Sequence, residues 1–109
     1  MRVVTTTTYE RAARKLLSAE EREAMERAIL ARPMDASVIP GSGGIRKARW
    51  AASGRGKRGH VRTIYFHLGE MSTIYLLTIY AKAEREDLRP ADLKAWAKLV
   101  AAIRKEARR

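Results

Sequence analysis

Cysteine is absent from this chain of 109 residues. That excludes a disulfide framework and thiolate chemistry, and two histidines without a cysteine argue against a dedicated metal site. Long apolar runs are missing as well. The longest, "MSTIYLLTIYA", is about half of the ~20 residues that a membrane-spanning helix needs. The opening "MRVVTTTTYE" lacks the apolar segment of a secretory signal, so a soluble, cytoplasmic protein with no membrane partner is expected. Acidic residues are missing from one long zone: no Asp or Glu occurs between residues 36 and 69, although "GGIRKARWAASGRGKRGHVR" inside it carries seven lysines and arginines.

The formal net charge is +11. Such an excess points to a polyanionic partner, nucleic acid or an acidic protein, an anionic membrane being the weakest reading because the cations lie on strand and loop and not along an amphipathic helix. The length suits one domain over residues 1–109, and a domain of this size buries roughly two-thirds of the surface its unfolded chain exposes. Like charge concentrated on the middle of such a domain works against folding, so an anion is expected there.

Local pattern divides the chain into elements. Residues 3–8 are short and β-branched and predict a strand. Tyr9, Ala12, Ala13, Leu16 and Leu17 recur at helical spacing. Ser18 followed by Glu21 is a capping-box signature for a second helix, which runs to about Arg32, stops before Pro33 and buries Ala24, Met25, Ala28 and Ile29. "VIPGSGG" reads as a linker.

Over residues 45–51 apolar and cationic side chains alternate, with Ala48 and Trp50 on one face of a strand and Lys47 and Arg49 on the other. "SGRGKRG" is a basic loop. Residues 60–68 and 73–82 form a hairpin that turns near Gly69 and is apolar on both faces, hence covered on both. Pro90 opens a last helix that docks through Leu93, Trp96, Ala97, Val100 and Ile103. The expected architecture is α+β: two N-terminal helices and a C-terminal helix packed around a curved, mostly antiparallel four-stranded sheet.

The helical pair ending "LLSAEEREAMERAILARP", then "VIPGSGGIRKARW", "RGKRGHVRTIYF", "IYLLTIYAKAEREDL" and the closing "RPADLKAWAKLV" resemble the RelE/HigB branch of the RelE/ParE toxin superfamily. The similarity runs from about residue 5 to residue 100. It implies a type II toxin–antitoxin toxin with two helices on the back of its sheet and an endoribonuclease site on the concave face. It also implies a ribosome-dependent cut in messenger RNA and a cognate antitoxin, often with a DNA-binding domain, that forms a hetero-oligomer with the toxin.

The implied reaction uses neither metal nor cofactor: a ribose 2′-hydroxyl attacks the adjacent phosphate, leaving a cyclic phosphate and a free 5′-hydroxyl. It needs a base, an acid and cations for the charge that builds on phosphate. By position, Lys47 and Arg49 match the family's strand cations, Arg62 the arginine before "TIYF", and Lys82 the basic residue ending the last strand. The resemblance makes Lys47 a candidate base, Arg49 and Arg62 phosphate clamps, and Lys82 a clamp or proton donor.

Arg46, Arg55, Lys57, Arg58 and His60 are the candidate RNA contacts, and His60 reads first as an exposed edge residue and second as a proton shuttle. Relatives place a Tyr, Arg or His after the last strand, where "AKAEREDL" offers only Lys82, Glu84 and Arg85. On pattern alone Lys47 and Arg49 also suit a solvated strand face, and Tyr65, Phe66, Tyr75 and Tyr80 are strand residues before they are base platforms. Two other functions compete: a non-catalytic nucleic-acid-binding module, and a ParE-like toxin acting on gyrase.

Overall fold

The computed structural model describes residues 1–52, 60–85 and 87–108. In chain order these form strand β1 (Arg2–Thr5), helices α1 (Thr7–Leu16) and α2 (Ala19–Ala31), strands β2 (Ser37–Val38), β3 (Ile45–Ala51) and β4 (His60–Leu68), a short 3-10 turn (Gly69–Met71), β5 (Thr73–Ala81) and helix α3 (Pro90–Ala107). The strands make one sheet in the order β1-β5-β4-β3-β2. β1 runs parallel to β5, and the other pairs are antiparallel.

The sheet therefore has five strands among the described residues and is mixed, where four were expected. The additional strand is Ser37–Val38, which pairs with Lys47 and Arg46. Two residues are too few to show a period of their own. The first strand is also shorter than its β-branched run, because Thr6 turns from strand to helix cap. Its hydroxyl accepts the Tyr9 N–H at 2.9 Å and donates to the Leu77 carbonyl at 2.6 Å.

That second bond has a structural cause. Pairing shifts from Ile64↔Thr78 to Tyr65↔Leu76, so Leu77 is an extra residue in β5, and the Thr6 hydroxyl satisfies a carbonyl at this bulge. The capping box forms as its signature predicts: Ser18 Oγ accepts the Glu21 N–H at 3.1 Å, and the Glu21 carboxylate accepts the Ser18 N–H at 3.2 Å.

The sheet is covered on both sides, which explains the two-faced apolar strands. On one side α1 and α2 contribute Tyr9, Ala13, Leu16, Met25 and Ile29, packed with Val61, Tyr65 and Ile79. On the other, Val100 of α3, flanked by Trp96 and Ile103, packs on Ile45, Ile64, Phe66 and Tyr80. Ala28, expected in the α2 stripe, is exposed. Arg104 fastens α3 further, donating from Nη2 to the Gly43 carbonyl at 2.8 Å with its guanidinium 4.7 Å from the Phe66 ring centre.

A polar network joins the first two helices. Arg22 bridges Glu10 at 2.8 Å and Glu26 at 2.9 Å, and Tyr9 donates to Glu26 at 2.6 Å. Burial and the Glu26 contact raise the Tyr9 phenol. The Glu10 carboxyl falls to about 2, first through the Arg22 hydrogen bond and then through that from Thr5. A carboxyl depressed on folding adds stability that is complete above its unfolded value near 4.5 and disappears as pH falls toward about 2. Acid unfolding should therefore steepen across that window, and Glu10→Gln should flatten it in pH-dependent denaturant melts. An unchanged profile would remove Glu10 from the acid response.

Candidate active site

The pleat of β3 sends Ala48 and Trp50 to the α1–α2 side, where they pack on that core, and Lys47 and Arg49 to the α3 side. In β4 the same alternation sends Val61 and Tyr65 one way, and Ile64 and Phe66 the other, with Arg62. Register then aligns the strands: Arg49 lies opposite Arg62, and Arg62 opposite Tyr80. Three side chains from β3, β4 and β5 thus share one row. Lys47 stands two residues along, opposite Ile64. Beyond the row in the other direction, the Lys82 N–H donates to the His60 carbonyl at 2.9 Å, and both residues are exposed.

Arg62 is 4% exposed, and its Nη1 has no hydrogen-bond partner among the described residues. Taking a guanidinium out of water without a complete set of acceptors costs several kcal/mol. No packing requirement explains a cation here, since Ile64 and Phe66 fill equivalent positions with apolar groups.

Lys47 donates from Nζ to Asp87 Oδ1 at 2.6 Å. Asp87 lies in the segment between β5 and α3, so the ion pair ties that segment to β3, with β4 between the two strands in the sheet. The Lys47 hydrogen bond, followed by the charges of Lys47 and Arg62, holds the Asp87 carboxyl below the usual carboxylate range. This residue is missed by sequence reasoning. The acid-free zone is continuous along the chain but not in space, and only the proximity of "AEREDL" to the sheet's end hints at an acid able to reach back.

The remaining candidates separate. Arg46 faces the α1–α2 side, where Nη1 donates to the carbonyls of Met34 at 3.0 Å and Ala36 at 2.7 Å. It braces the segment between α2 and β2, apart from Lys47 and Arg49. Arg55, Lys57 and Arg58 lie outside the described residues. Tyr80 is buried, with the Arg85 guanidinium 5.6 Å from its ring centre, and Arg85 also approaches Asp92 at 3.7 Å. Among the described residues, no helix is long and apolar enough to cross a membrane, and no three His, Cys, Asp or Glu side chains gather as a metal site.

A mixed sheet between a helical pair and a C-terminal helix, with a basic row on the face that the last helix shares, defines a RelE-like α+β domain. The same fold is present in a mutant of E. coli toxin RelE in the free state, with a TM-score of 0.58, 16% identity and coverage of 88% of this chain and 92% of that one. It is present also in the intact E. coli RelBE toxin–antitoxin complex, with a TM-score of 0.55, 20% identity and coverage of 77% and 98%. A family model described as the RelE toxin of the RelE/RelB toxin–antitoxin system matches residues 1–108, and the chain belongs to that toxin family.

Proposed function

We propose that this toxin is a ribosome-dependent endoribonuclease that cleaves messenger RNA by 2′-hydroxyl attack on the adjacent phosphodiester. The observation that carries the reading is the buried Arg62 guanidinium, short of acceptors and aligned with Arg49. A phosphate above that row would take hydrogen bonds from both forks, and these strengthen as charge builds on its oxygens. Lys47, on the same face, is the base candidate for the 2′-hydroxyl proton in this reading. Lys82 stands at the row's outer end as a clamp or as the donor to the departing 5′-oxygen. The bond from phosphorus to that oxygen breaks as the bond to the 2′-oxygen forms, and a cyclic phosphate remains.

The basic face also suits an antitoxin with an acidic or amphipathic element, and the E. coli RelBE complex supports such a hetero-oligomer as the resting form. Family membership supports messenger RNA on the ribosome as the target. Primer extension on programmed ribosomes tests the reading. The expected result is discrete cuts within the decoding-site codon that vanish in Lys47→Ala while ribosome binding persists. Parallel loss of cutting and binding would favour plain nucleic-acid binding. Intact message together with inhibited gyrase would favour the ParE-like alternative.

A further inference from the structure

We propose that Asp87 is a tethered stand-in for the RNA phosphate: in the free protein its carboxylate occupies the anion position beside Lys47, and substrate enters by displacing it. The inference rests on the reading of this face as a phosphate site and adds a residue that governs which anions are admitted. Asp87 Oδ1 lies 2.6 Å from Lys47 Nζ although the two residues are forty apart in the chain. Lys47 stands on β3 and Asp87 follows β5 in the chain; β4 runs between those strands, with Arg62 on the Lys47 face. The carboxylate feels the Arg62 charge as well as that of Lys47. Yet Arg62 Nη1 keeps no partner among the described residues, so one carboxylate satisfies only part of a site whose donors lie on separate strands. A phosphodiester offers two non-bridging oxygens and can serve both donors.

The tether is weak by construction of the fold. Asp87 sits outside both β5 and α3, its side chain is 72% exposed, and Lys47 is its one hydrogen-bonding or ion-pairing partner among the described residues. Exposed pairs of this kind contribute little to folding. As an intramolecular ligand, however, the carboxylate competes at an effective concentration on the order of millimolar or above. A single inorganic phosphate must outcompete it alone. An RNA strand brings neighbouring phosphates to Arg49, Arg62 and the rest of the basic surface, so the exchange at Lys47 is a small part of its binding. Asp87 thereby discriminates polyanionic RNA from lone phosphates and free nucleotides.

Phosphate titrations of the full chain, read by thermal shift and by calorimetry, test this without reference to cleavage. In Asp87→Asn the half-saturating phosphate concentration should drop about twofold to sixfold, as displacement of an exposed ion pair allows. Asp87→Glu, which restores a carboxylate, should return it toward wild type, and the gain should vanish in Lys47→Ala/Asp87→Asn. Unchanged or weaker phosphate binding in Asp87→Asn would overturn the inference. So would loss of cleavage in that variant with phosphate affinity unaltered, which would make Asp87 an ordinary acid–base group. In ribosomal assays, a lower KM with kcat retained is the supporting outcome. Tighter phosphate binding in a protein that cuts no message would leave Asp87 as an anion stand-in while refuting the endoribonuclease reading.

Discussion

Replacing Arg62 with methionine should reduce messenger RNA cleavage by about a thousandfold while leaving the fold as stable as before or more so. Preorganised donors aimed at a developing oxyanion are worth roughly 10²–10³ in rate each, and Arg62 has the most enclosed guanidinium of the row, at 4% exposure. Stability should move the other way. Exchanging a buried, incompletely paired ion for an apolar side chain of similar length is often neutral or stabilising by about 1–4 kcal/mol, and Ile64 on the same face and Tyr80 opposite belong to an apolar cluster. Arg62→Lys keeps the charge without the planar fork, so it should recover a minor part of the rate. Single-turnover cleavage and urea melts on the same preparations give both readouts. Near-normal cleavage in Arg62→Met, or a marked loss of stability, would make Arg62 a structural residue.

The largest effect on folding is expected at Gly44. Its φ of +112° lies where side chains are strained, and an added Cβ would meet Arg104 Nη2 at 2.7 Å and the Phe66 ring at 3.5 Å. Gly44→Ala would incur backbone strain of about 1–3 kcal/mol. It would also push Arg104 off the Gly43 carbonyl and the Phe66 ring, losing a charged hydrogen bond and a cation–π contact. About 3 kcal/mol in total is expected, a fall in Tm on the order of 15 °C for a domain of this size. Because part of that loss passes through Arg104, Gly44→Ala should cost less in an Arg104→Ala background. Equal costs in both backgrounds would assign the whole effect to backbone strain.

Much of the fold is legible because its signals are local. The β4–β5 hairpin forms within a residue of the expected limits, since β-branched and aromatic residues pack well on a pleated surface. The Ser18–Glu21 box forms as read. Ser37–Val38 escaped because its strand character comes from the partner β3. The threonine run, read whole as strand, divides after Thr5 because the same side chain favours strands and caps helices. Arg46 teaches a related point: charge groups it with Lys47 and Arg49, whereas the pleat places it on the opposite face, where backbone carbonyls occupy it.

By itself the sequence determined the helices, the central strands, the two-sided burial and the choice of Lys47 and Arg49 as neighbours on one face, because periods of 3.6 and 2 act over a few residues. Tertiary structure alone decided that β1 joins β5 in parallel, that Arg62 is enclosed between Arg49 and Tyr80, and that Asp87 closes on Lys47. These depend on strand order and register. Contacts between separate elements are set by how whole faces bury together, and no local period records them.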